Sequence, residues 1–214
     1  MTFLADSILI AAILLTVVTL ASSRVGMGIR AFAVQSCLVA FLPWLLHEGP
    51  PGAHAIAIIV GTLVVKGLLI PWFLFRAIRG VAIRRDVGVL IGYGTSLFLA
   101  AVLVALAFAI SASLPLPMPA GSVLLMPASL STLLLGLLIL VTRTKAVTQV
   151  VGYLFVENGI YLFGVSLVTE MPVMVETGIL LDVFVGVFVM GIVMFRISRE
   201  FDHLDTQNLT ALKD

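Results

Sequence analysis

The sequence predicts an all-α, polytopic integral membrane protein of seven transmembrane helices, with the N-terminus outside and the C-terminus cytoplasmic. Three observations carry this expectation. The 214-residue chain is 61% hydrophobic and only 11% charged, whereas soluble domains run near a quarter charged. Its apolar residues gather into stretches of about 18 or more, long enough to cross a bilayer. Its lysines and arginines collect in alternate loops, the bias that orients membrane helices.

The spans fall at 3–23, 29–46, 54–75, 87–110, 122–141, 147–168 and 173–196. The first apolar stretch, Phe3 to Ala21, exceeds a signal-peptide core and has no basic residue before it, so it reads as a retained helix. The second holds Cys37, expected to be a small buried thiol. A single cysteine excludes an intrachain disulfide and an iron–sulfur cluster held by this chain alone. Gly49-Pro50-Pro51-Gly52 then breaks the chain. The third span carries Lys66 near its middle, with Pro71 one turn later expected to kink it and free a carbonyl. The fourth ends before Leu114-Pro115-Leu116-Pro117-Met118-Pro119, whose prolines cannot continue a helix. The organisation expected is therefore a four-helix part (1–113), a proline-rich outer loop (114–121), a three-helix module (122–197) and a polar cytoplasmic tail (198–214).

Orientation follows from the loops. Arg24 and Arg30, then Arg76, Arg79, Arg84 and Arg85, then Arg143 and Lys145, and finally Arg196, Arg199 and Lys213 all fall on one side. The alternate loops carry His47, Glu48, His54 and Glu170 but no lysine or arginine. The exception is Lys66, inside a helix.

Several function classes drop out. No basic patch or aromatic–basic interleaving suggests nucleic acid. Walker, G-x-S-x-G and H-E-x-x-H motifs are absent, and Gly92-Tyr93-Gly94 lies in a span without phosphate-loop context. His47 and His54 flank the outer turn and match no standard metal spacing, and no histidine lies deeper within a span for haem. Asp6, Glu170 and Glu176 lie near the outer interface and read as hydrated. No internal repeat is evident, which weakens inverted-repeat transporter architectures.

What remains is three ionisable groups in the middle of apolar spans: Lys66, Glu157 and Asp182. Such groups are costly in a bilayer and mark ion or proton pathways by default. Around Glu157, the residues Gln149, Tyr153 and Tyr161 recur at four-residue spacing, and Asn158 adds an amide. That spacing lays a polar stripe along one slowly rotating helix face. It reads as a hydrated proton path centred on Glu157, or as hydrogen bonding that only fixes helix packing. Asp182 is flanked at the same spacing by Gly178 and Gly186, which would admit water or a close backbone, or simply form a packing seam. A carboxyl held between burial and a nearby cation could change protonation near neutral pH, as a relay requires. Lys66 is then a path residue, a partner to an acid, or half of a structural ion pair.

The run Val150-Val151-Gly152-Tyr153-Leu154-Phe155-Val156-Glu157-Asn158-Gly159 resembles a segment of the hydrogenase component E (HyfE) family. So do Lys66-Gly67-Leu68-Leu69-Ile70-Pro71-Trp72 and the tail from Arg199-Glu200-Phe201-Asp202-His203 to Leu212-Lys213. The last three helices also resemble NuoK, a small membrane subunit of respiratory complex I, and the C subunit of multisubunit sodium/proton antiporters. The basic loop Arg143–Lys145 precedes a helix with a buried acid, and Asp182-Val183-Phe184-Val185-Gly186 matches a second acid followed by glycine. Against NuoK, Glu157 lies about one turn further along, the second acid is Asp and the outer loop is shorter.

The resemblance implies a subunit of a nickel–iron hydrogenase or formate-hydrogenlyase-type complex in the inner (cytoplasmic) membrane. It would lie between antiporter-like subunits and the hydrogenase membrane anchor, with the nickel–iron and iron–sulfur subunits in the same assembly. Proton transfer or its coupling would run through Glu157 and Asp182, with Lys66 as charged partner. No cofactor is expected on this chain, and hydrogen or formate chemistry would belong to its partners. The alternatives are a subunit of a cation/proton antiporter without a hydrogenase, and a membrane scaffold without a proton path.

Overall fold

The computed structural model describes residues 2–46, 52–79, 89–114 and 122–167. Its elements are α1 (Thr2–Ala21), α2 (Val25–Ala40), α3 (Leu42–Leu46), α4 (Ala53–Thr62), a π-helical segment (Leu63–Leu69), α5 (Ile70–Arg79), α6 (Tyr93–Ser113), α7 (Leu125–Thr142) and α8 (Ala146–Leu167). Together they make six helical rods long and apolar enough to cross a membrane among the described residues. The expected seventh span, with Asp182, lies outside those residues.

The first six expected spans coincide with these helical rods, with shifts at their ends. α2 and α3 form one rod interrupted at Phe41, whose N–H bonds to Leu38 O instead of continuing the α-helical ladder. The third span does not continue as a plain α-helix up to Pro71, because the wide π turns come first. The fourth begins at Tyr93, later than the expected 87, because Val89 forms an isolated antiparallel bridge with Arg143. There Leu90 N–H donates to Thr142 O at 2.9 Å, so this backbone serves the α7–α8 connection instead of a helix.

α7 and α8 pack most closely. A Cβ at Gly136 would lie 2.6 Å from Val156 N, and one at Gly159 2.6 Å from Leu133 N. Only the missing side chains allow the two backbones to touch, the usual device where lipid offers no hydrophobic drive for helix pairing.

The interior divides along the length of the rods. One apolar cluster joins Leu20, Ile29, Phe32, Leu74, Ile139, Val151 and Phe155, with the Phe32 and Phe155 rings edge to face at 6.1 Å. A second joins Ala5, Leu9, Val39, Leu42, Leu125 and Leu162. Between them, midway along the rods, lies a buried polar layer of Thr16, Gln35, Ser36, Lys66, Glu157 and Asn158. The opposite faces of the third and fourth rods expose large apolar side chains, including Leu68, Trp72 and Phe98, as expected of surfaces that meet lipid or another apolar chain.

Candidate functional site: a buried ion pair in a polar layer

Lys66 sits in the π-helical segment with 4% of its surface exposed. Wide π turns recur at functional positions because they re-aim a side chain that a regular helix would place elsewhere. At Gly67 the third rod comes against α2, where an added Cβ would lie 2.8 Å from Cys37 Sγ. Pro71 follows, at the start of α5. The ammonium is thereby directed inward, toward α8.

There it meets two adjacent side chains. Lys66 Nζ lies 3.0 Å from Glu157 Oε1 and donates to Asn158 Oδ1 at 3.3 Å. The Tyr161 ring stands one turn further along α8, 5.9 Å from Nζ. Glu157 is only 4% exposed, and neither carboxylate oxygen has a hydrogen-bond partner of good geometry among the described residues. Its contact with Lys66 is an ion pair, and lone pairs remain free to accept a proton.

Asn158 links this pair to two more rods. Its Nδ2 donates to Gln35 Oε1 at 2.9 Å and to Ser36 Oγ at 3.0 Å. Gln35 Nε2 donates in turn to Ala12 O at 2.9 Å and to Thr16 Oγ1 at 3.1 Å. The polar contacts therefore run sideways, from α8 through α2 to α1.

The expected stripe along α8 does not form one continuous row. Gln149 donates to the Arg143 carbonyl at 2.9 Å, while Tyr153 is 37% exposed and faces outward. Glu157, Asn158 and Tyr161 gather around Lys66. Asp182, His47 and the side chain of His54 lie outside the described residues, as do Glu170 and Glu176. Asp6 accepts a hydrogen bond from Ser122 Oγ.

Sequence reasoning passed over Gln35, Ser36 and Thr16. The signal for Gln35 was present: it is the one amide in an apolar helix. It also treated Arg143 as a loop cation, whereas this side chain is 1% exposed. Arg143 Nη2 donates to Leu20 O near the end of α1, and the guanidinium stands 5.3 Å from the Tyr93 ring. Burial pulls its pKa below the ordinary guanidinium range, and Tyr93 acts in the opposite sense.

Chemically, a lysine and a glutamate in direct contact can exchange one proton. The exchange converts ammonium and carboxylate into amine and carboxyl, so each group becomes neutral while the net charge of the pair stays at zero. Among the described residues no group of three or more histidine, cysteine or acidic side chains converges as a metal site would require.

Comparison with known proteins gives whole-length relatives. Hydrogenase-4 component E of Escherichia coli (strain K12) is 31% identical over 208 residues, covering 93% of this chain and 91% of that protein. The component of the same name from Shigella flexneri matches equally, at 31% over 93% of this chain and 91% of its own. The Mycobacterium tuberculosis protein Rv0085 is 29% identical over 187 residues, 87% of this chain and 85% of its own. No protein-family model and no solved structure matches the chain.

Proposed function

We propose that this chain, which belongs to the hydrogenase-4 component E family, is an integral membrane subunit of an energy-converting hydrogenase complex. In it the chain carries or couples proton transfer. The observation that supports this most directly is the contact of Lys66 with Glu157, 3.0 Å apart and both buried midway along their rods. Burying two charges costs several kcal/mol each by rough reckoning, and an amide pair would lock helices at lower cost. A pair that can pass a proton between its members gives that expense a use.

The finer reading has a seven-span chain with the N-terminus outside, in the inner membrane, whose last three helices form a NuoK-like module. Asp182 is the second acid on the path, taking over the proton beyond Glu157. Antiporter-like subunits and the hydrogenase membrane anchor are its neighbours, and the nickel–iron and iron–sulfur subunits carry the redox chemistry.

The test is proton translocation by inverted vesicles containing the whole complex, comparing wild type with Glu157→Gln and checking assembly on native gels. Intact assembly and electron transfer with lost translocation supports the reading. Unchanged translocation would reduce the pair to a lock between helices. Hydrogenase large- and small-subunit genes beside this one would separate the proposal from an antiporter without a hydrogenase.

A further inference from the structure

The hydrogen bonds of the polar layer have a direction, set far from the ion pair. A backbone carbonyl can only accept, so Ala12 O fixes one end. Thr16 Oγ1 donates to that carbonyl at 2.9 Å, and having spent its proton it meets Gln35 as an acceptor. Both neighbours on α1 therefore require the NH2 end of Gln35. Turned over, the amide would set its oxygen against two acceptors, which is how the orientation of such a group is assigned.

That choice propagates. With Nε2 committed to α1, Gln35 presents only Oε1 to Asn158. Asn158 must answer with Nδ2, whose second hydrogen goes to Ser36 Oγ. Both hydrogens are then used, and Oδ1 is left facing Lys66.

We propose that Gln35 is a positioning residue for Lys66, acting through Asn158 by fixing which end of the Asn158 amide faces the lysine nitrogen. The proposal rests on the reading of Lys66 and Glu157 as a proton-transfer pair. Ammonium and amine both carry N–H groups, so an acceptor at Asn158 holds Lys66 before and after it gives a proton to Glu157 Oε1. A reversed Asn158 would aim its own N–H groups at the ammonium and release Lys66 from its place beside the carboxylate. Gln35 acts through the Asn158 amide it holds, the group that keeps the pair together through a cycle.

The experiment uses the whole complex in inverted vesicles and reads protons moved per electron pair, with assembly followed on native gels. Gln35→Met keeps length and bulk while removing the amide. It is expected to lower the ratio about tenfold, the scale of a lost hydrogen bond at a charged group. In an Asn158→Leu background the same change should lower it no further, because the residue it acts through is gone. An unchanged ratio in Gln35→Met, or an independent loss added to that of Asn158→Leu, overturns the proposal. Should Gln35→Met fail to assemble, Thr16 decides. Thr16→Val is expected to depress the ratio and Thr16→Ser to restore it, and equal behaviour of the two overturns the proposal. Glu157→Gln runs alongside. If it leaves translocation intact, the proton-transfer reading has failed, whereas loss there with a normal Gln35→Met defeats only the role given to Gln35.

Discussion

Lys66 and Glu157 come from rods distant in sequence and meet at 3.0 Å, each about 4% exposed. A pair so enclosed is stabilising only relative to a broken pair, since each charge left alone would face the apolar interior. Lys66→Met is therefore expected to weaken the protein by about 3–5 kcal/mol, the cost of an uncompensated buried charge. Lys66→Met combined with Glu157→Leu should recover most of that stability while translocation stays lost. The temperature at which the subunit is released from the detergent-extracted complex measures both. A double variant no more stable than the single one would show that the unpaired carboxylate was not the cause.

How much of this was legible depends on what each residue costs in a membrane. Lys66 and Glu157 stood out because a charge in an apolar stretch is expensive and must be explained. Gln35 and Thr16 did not, since an uncharged polar group is far cheaper, and a helical hydroxyl can return its proton to its own preceding turn, as Thr16 does to Ala12 O. The polar residues expected along one slowly rotating face of α8 spread apart because each four-residue step turns the helix by about 40°. Over two such steps, Gln149 and Glu157 come to face different neighbours. The π turns around Lys66 depend on tertiary contacts such as that of Gly67 with Cys37, which no local pattern announces.

Close backbone approach makes the α7–α8 seam intolerant of any side chain. Gly136→Ala and Gly159→Ala would each set a methyl group 2.6 Å from a backbone nitrogen, and backbone cannot step aside as a side-chain tip can. Each is expected to cost about 1–3 kcal/mol through overpacking and to push apart the helix that carries Glu157. Lower yield and an earlier thermal transition are the expected readings. Gly94→Ala is the control, because a Cβ there meets nothing within 4 Å.

Beside Lys66 the obstacle is softer. A Cβ on Gly67 would fall 2.8 Å from Cys37 Sγ, a single atom at the end of a short side chain. Gly67→Ala should cost about 1 kcal/mol, and Cys37→Ala should relieve most of it. The two changes are therefore expected to be strongly non-additive in thermal stability. Additive losses would mean that Gly67 is needed for the π turns themselves and not for clearance from α2.

Arg143 sets a last test, at the end of the molecule where α1, α6, α7 and α8 converge. Its guanidinium donates to Leu20 O in the last turn of α1, where helix carbonyls lack intrahelical donors and the macrodipole favours a cation. The planar group also stands 5.3 Å from the Tyr93 ring, while its own carbonyl accepts from Gln149. Lysine keeps the charge but not the planar face that stands beside Tyr93, so Arg143→Lys should cost about 1–2 kcal/mol. Arg143→Met keeps the stem and strips Leu20 O of its donor, for about 2–3 kcal/mol. Tyr93→Leu, which removes only the ring, should cost about 1 kcal/mol. Release temperature of the subunit should fall in the order wild type, Tyr93→Leu, Arg143→Lys, Arg143→Met. If Arg143→Met matched wild type, the buried guanidinium would not be what ties the end of α1 to the α7–α8 turn.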